Sequence, residues 1–159
     1  TQSLTRGPSA RRCHAMTFDA ARQVAVLFGG DEGDGRLLDD TWLWDGRAWR
    51  EAPVPLDARP PARHSHAMAF DPVRGVVVLF GGFDGRTHLD DTWAWNGARW
   101  TELRLAGPRP PGRKAFGLVH EGARARLLLF GGANRLRSTR DPVSGIVSTY
   151  LGDTWALGR

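Results

Sequence analysis

Cysteine, lysine and tyrosine are each nearly absent from this chain of 159 residues, where Cys13, Lys114 and Tyr150 stand alone. One cysteine cannot close an intramolecular disulfide, so the fold must be held by packing and hydrogen bonds. No apolar run approaches the roughly 20 residues that a membrane-spanning helix needs, so a membrane is not an expected partner. No signal-peptide pattern opens the sequence, but Thr1 rather than Met stands first, and the compartment stays open. Apolar residues make up 41% of the chain, and the length suits a single domain over 1–159.

What is abundant is repetition. Leu-Phe-Gly-Gly occurs at 27–30, 79–82 and 129–132, each time after an apolar stretch and ahead of Asp-Thr-Trp. Upstream, Pro8 and Arg11 match Pro60 and Arg63, then Pro110 and Arg113. Periods of this size mark units that are each one supersecondary block and cannot bury their faces alone. The first strand of each unit is expected at 13–18, 65–70 and 115–120. An Asp-x-x-Arg or Glu-x-x-Arg turn follows it at Asp19, Asp71 and Glu121. The second strand is continuously apolar at 24–28, 76–80 and 127–130, as where both faces of a strand are covered, and Gly-Gly ends it. The third strand alternates at 41–44, 92–95 and 154–157. Asp45-Gly46 and Asn96-Gly97 then signal tight turns into fourth strands opened by Trp49 and Trp100.

Four antiparallel strands per unit make a propeller blade. The Gly-Gly pair after an apolar run, the aromatic on the third strand and the Trp that opens the fourth resemble the kelch motif over nearly the whole chain. The resemblance implies an all-β fold of three four-stranded blades: blade one over 8–52, blade two over 60–105, and blade three over 110–159, which lacks a fourth strand of its own. It also implies that the first strand is innermost. Segment 1–6 precedes Pro8 as 101–105 precedes Pro110, so it is expected to be an outer strand exchanged into the last blade of another chain. Two chains would then close a six-bladed homodimer. The alternative is an excised or trimmed half whose partner half is another polypeptide or another part of the same gene.

The net charge of +5 is carried almost wholly by arginine. Arg11, Arg12, Arg59, Arg63, Arg109, Arg113 and Lys114 lie in the connections entering first strands, and Arg36, Arg86, Arg135, Arg137 and Arg140 follow Gly-Gly. Both kinds of connection leave an up-and-down blade on the same side, so one face is expected to be basic. Guanidinium groups favour carboxylates and phosphates, which points to an acidic peptide, a carboxylate or an anionic glycan. The repeated Arg11, Arg63 and Arg113 have a structural reading as well: tying adjacent blades through hydrogen bonds to the acidic residues of the Asp-Thr-Trp steps. The long third connection, 132–153, adds Tyr150 as a candidate ligand contact.

Catalysis has little support. The copper oxidases built on kelch-type blades use two tyrosines and a cysteine crosslinked to one of them, and Tyr150 with Cys13 does not supply that set. His14 and His66 match between units and are weak metal candidates, with Phe116 at the third place. Asp31, Glu32 and Asp34 lack a full calcium ligand set. No cofactor is expected. The seven tryptophans read as interblade packing. Cys13 reads as a small buried thiol. Nucleic acid is disfavoured, since no recognition helix or stacking motif accompanies the charge. The expected function is a binding or protein-interaction scaffold with an Arg-rich loop face. The alternatives are an enzyme using the channel mouth, with a histidine-bound metal, and an engineered or excised half-propeller with no role beyond folding and self-assembly.

Overall fold

A computed structural model describes residues 7–104, 106–137 and 146–157. Blade one is a four-stranded antiparallel sheet of β1 (Ala15–Asp19), β2 (Val24–Asp31), β3 (Leu37–Trp44) and β4 (Trp49–Glu51), in that order. Its first turn is closed by the buried Asp19 carboxylate, which accepts from the backbone N–H of Ala21 and Arg22 at 3.1 Å and from the Arg22 guanidinium at 2.8 Å. Blade two repeats the order with β5 (Ala67–Asp71), β6 (Val76–Phe80), β7 (Thr92–Trp95) and β8 (Trp100–Glu102), and Asp71 closes its turn in the same way. Blade three contains β9 (Gly117–Glu121), β10 (Arg126–Phe130) and β13 (Thr154–Leu157), with a separate ribbon of β11 (Ala133–Arg137) and β12 (Ile146–Tyr150). Among the described residues blade three has no fourth strand.

The blades meet through their first strands: β1 lies against β5, and β5 against β9. Two apolar clusters fill the joints. Val26, Phe28 and Leu43 of blade one pack on Met68, Val77, Leu79, Trp95 and Trp100 of blade two. Ala69, Val78 and Phe80 of blade two pack on Leu118, Leu127, Leu129 and Leu157 of blade three. The continuous apolar run of β6 is therefore needed, because Val77 and Leu79 face blade one while Val78 and Phe80 face blade three.

The two glycines of each pair have different duties. A Cβ on Gly82 would lie 2.9 Å from the His64 carbonyl oxygen, in the same blade's entry segment. A Cβ on Gly81 would lie 2.9 Å from the Arg113 carbonyl oxygen, in the next blade. Both have positive φ, 103° at Gly82 and 62° at Gly81. One glycine thus lets the blade close on itself and the other lets its neighbour approach.

Four expectations need correction. The first strands begin two residues later than 13, 65 and 115, because Cys13, Ser65 and Ala115 hold left-handed φ values of 54°, 54° and 55°. Those residues link blades instead: the Ser65 N–H donates to the Cys13 carbonyl at 2.7 Å, and the Ala115 N–H to that of Ser65 at 2.9 Å. Cys13 is consequently exposed, not buried in a strand. In blade one the second strand does not stop at Gly-Gly. It resumes after an irregularity between Phe28 and Gly30 and pairs on to Asp31. The third connection is not a plain loop, since the backbones of 133–137 and 146–150 form a regular antiparallel ladder. The exchanged segment 1–6 and Arg140 lie outside the described residues.

Candidate functional site

The repeated arginines stitch each entry segment into the sheet. The Arg63 guanidinium donates to Asp91 at 2.6 and 2.7 Å, to the Gly81 carbonyl at 3.0 Å and to the Pro61 carbonyl at 2.9 Å. Arg113 does the same with Asp153, Gly131 and Pro111, and Arg11 forms a two-armed pair with Asp40. Each carboxylate also accepts the indole N–H of the following tryptophan: Trp42, Trp93 or Trp155. Arg113, then Trp155, holds the Asp153 carboxyl far below the usual carboxylate range. At Asp40 burial works the other way, but the bonds from Arg11 and Trp42 outweigh it and the carboxyl is again lowered. Arg63 and Arg113 are fully buried. The expected bonds to the acidic residues are present, but they run within one blade and not between adjacent blades, because each Asp-Thr-Trp step sits at the third strand of the arginine's own blade. The backbone of Arg63 meanwhile bonds to blade one, through Gly30 and Leu38, so a single residue fastens two blades.

The next residue in each repeat is also basic: Arg12 is exposed, and His64 and Lys114 are half-buried. Arg12, His64 and Lys114 form the matched bridges Arg12 to Asp31, His64 to Phe83, and Lys114 to Ala133. The entry segments and the connections after Gly-Gly therefore run side by side on one face. His64 lies within electrostatic reach of Arg12, Asp31 and Lys114; burial first, then Lys114, lowers its proton affinity below that of an ordinary histidine.

In blade one this face is internally neutralised. Arg12 pairs with Asp31 at 3.0 Å, and Arg36 with Glu32 at 3.1 Å. The Asp31 carboxyl, which accepts the Gly33 N–H and then Arg12, sits below its usual range. Blade two differs. Phe83 occupies the place of Asp31, its ring 5.7 Å from His64 and 5.0 Å from His88, with the Lys114 ammonium 5.1 Å from its centroid. Arg86 is exposed, and its side chain makes no ion pair among the described residues. This aromatic and cationic group was not singled out from the sequence. The signal was an unrepeated aromatic directly after Gly81-Gly82, where the other units carry Asp31 and Ala133.

The remaining candidates are dispersed. Arg135 and Arg137 stand on β11, paired in register with Ser148 and Ile146. Tyr150 is 86% exposed at the end of β12. His14 is exposed, whereas His66 is enclosed in the joint between blades one and two, edge-on to Phe28 at 5.6 Å. Burial, then Arg63, drives the His66 pKa down to about 3, against the opposing effect of the Phe28 backbone. Among the described residues no group of three metal-ligating side chains occurs, and no helix is long and apolar enough to cross a membrane.

Comparison with known proteins gives one family. The model of the KLHDC2/KLHL20/DRC7 Kelch-repeats domain matches residues 2–157. An F-box/kelch-repeat protein of Arabidopsis thaliana is 29% identical over 94% of this chain and 31% of its own length. The tRNA wybutosine-synthesizing protein 4 of Aspergillus fumigatus is 33% identical over 78% of this chain and 12% of its own. The human multiple epidermal growth factor-like domains protein 8 is 32% identical over 81% of this chain and 5% of its own. The chain thus spans no more than about a third of these relatives.

Proposed function

Because the chain belongs to the kelch-repeat family, we propose that it is an interaction scaffold that takes acidic peptide segments on the face where entry segments and Gly-Gly connections meet. The observation that carries this reading is the group of Phe83, His64, His88 and Lys114, with Arg86 beside it. An apolar platform with cations at its rim suits a peptide that offers a carboxylate and a hydrophobic side chain together. Blade one contributes less, since its two cations already have carboxylate partners. In this reading two chains complete a six-bladed ring, which sets a second such group across the channel mouth.

Fluorescence titration with labelled Glu-rich, Lys-rich and neutral peptides carrying one phenylalanine tests it. The Glu-rich peptide is expected to bind best and to weaken about tenfold, roughly 1.4 kcal/mol, in the Arg86→Ala, Lys114→Ala double variant, while Arg36→Ala stays close to wild type. Equal affinity for all three peptides, or indifference to the double variant, would rule the face out as an acidic-peptide site.

A further inference from the structure

One pair of positions faces itself across the same backbone bridge in every repeat and carries a different chemistry each time: Arg12 with Asp31, His64 with Phe83, Lys114 with Ala133. The frame is constant. The Arg12 and Asp31 backbones exchange hydrogen bonds at 2.9 Å each, and those of His64 and Phe83 at 3.1 and 3.0 Å. In blade one the side chains complete the bridge, since the Arg12 guanidinium donates to the Asp31 carboxylate at 3.1 and 3.0 Å. This position of a blade therefore holds a carboxylate in front of its basic residue. In blade two the basic residue is His64, and Phe83 stands where the carboxylate would be.

The surroundings of His64 decide what it can do there. Its Nδ1 is bonded to Ser65 Oγ at 2.8 Å, which leaves Nε2 for a partner from outside. Its ring stands edge-on to Phe83, and the Lys114 ammonium lies 5.1 Å from the centroid of that same phenylalanine. The charged groups that reach it are Arg12 and Asp31 from blade one and Lys114 from the entry of blade three. Arg12 and Asp31 cancel each other, whereas Lys114 has no carboxylate partner among the described residues. Within its own blade, Arg63 is taken up by Asp91, the Asp84 carboxylate by the N–H groups of Arg86 and Thr87, and His88 shares the Phe83 ring. His66, with His14 beyond it, lies within electrostatic reach and stays neutral in the joint. The surplus charge at His64 is thus positive, and burial with Lys114 keeps the imidazole neutral at rest.

We propose that His64 is a proton-taking anchor for the acidic ligand: a peptide carboxylate seated beside Phe83 supplies what Asp31 supplies in blade one, and His64 gains a proton as it binds. This rests on the reading of the face as an acidic-peptide site. The carboxylate stays ionised, the imidazole takes one proton from solvent, and Nε2–H donates to the carboxylate; no bond of the ligand is made or broken. A carboxylate in this place cancels the Lys114 charge that opposes protonation, and the hydrogen bond then favours the imidazolium. The complex holds more protons than the free chain, so affinity rises as pH falls through the histidine range. Where Arg12 gives blade one a permanent ion pair, His64 makes the pair in blade two conditional on both ligand and proton.

Calorimetric titration with the Glu-rich peptide that carries one phenylalanine, at pH 7.5 and 5.5 and in two buffers of different ionisation enthalpy, tests the anchor. The peptide carboxylates, with an ordinary pKa of about 4.3, stay charged over this range. The wild type should bind about tenfold more tightly at pH 5.5 and take up a proton from the buffer as it does so. His64→Gln should bind equally at both pH values, and His64→Arg, which restores the residue of blade one, should bind equally and tightly at both. His88→Gln should keep the slope. Circular dichroism at both pH values checks that every variant holds the wild-type sheet. A wild type that binds the Glu-rich peptide at neither pH, or no better than the Lys-rich one, would overturn the acidic-peptide face and the anchor together. Equal affinity at both pH values, or a slope that survives in either His64 variant, would overturn the anchor alone and leave a pH-independent site.

Discussion

Phe80 and Phe130 end the same strand in two successive blades, yet one is wholly buried and the other 60% exposed. Their own sheets treat them alike, since each follows an apolar run and precedes Gly-Gly, with paired strands on both sides. What differs is the neighbour. Among the described residues blade two has a blade on either side, and blade three has one only behind it. The repeat therefore specifies the sheet, while burial is conferred between sheets.

The sharpest way to break this comparison is to truncate both phenylalanines. Phe80→Ala should cost about 3–5 kcal/mol of unfolding free energy in urea, as for a large aromatic removed from a packed interior. Phe130→Ala, at a side chain 60% exposed in the single chain, should change it by no more than about 0.5 kcal/mol. Similar losses for the two would mean that Phe130 is packed by something within its own blade.

The arginine stitches give the next contrast. Asp91→Ala strands the buried Arg63 charge and should cost about 3 kcal/mol, whereas Asp153→Ala should cost less, because water reaches the 38% exposed Asp153 and can solvate Arg113 there. Chemical denaturation of the two variants side by side checks the order.

A third contrast uses pH. His66 has a folded pKa of about 3 against an ordinary 6.5. The unfolded chain therefore takes up a proton first as the solution is acidified. Stability attributable to His66 is complete above pH 6.5 and is lost as pH falls toward 3, amounting to about 2 kcal/mol near pH 5. His66→Phe places at this joint the residue that Phe116 already supplies at the next one, and it should abolish that decline. An unchanged pH slope in the variant would show that the ring is not what titrates. The smallest effect belongs to the basic face: Lys114→Ala should cost about 0.5–1 kcal/mol through the lost contact with Phe83, more than Arg36→Ala.

The strand order, the turns at Asp19 and Asp71 and the Trp-led fourth strands were legible because each is written locally, in turn chemistry and side-chain alternation. The starts of the first strands were not. Cys13, Ser65 and Ala115 share no side-chain signal for a left-handed backbone; they adopt it to reach the blade behind, which is a tertiary demand. For the same reason the two glycines of each pair looked equivalent although they face different neighbours. The ribbon of β11 and β12 reads as a loop in the sequence because it occurs once and no repeat exposes its pairing. At the candidate site, repetition pairs Arg63 and Arg113 with the acidic residues of the Asp-Thr-Trp steps, but within a blade and not between blades, and it draws attention away from Phe83. That residue matters through three contacts from different segments, and none of those contacts is encoded by spacing.

The most direct measurement is the absolute mass of the unmodified chain, by light scattering on a sizing column through a dilution series. Twice the 17.5 kDa chain mass, unchanged on dilution, is the result that the proposed two-chain ring predicts. A single-chain mass throughout would contradict that ring.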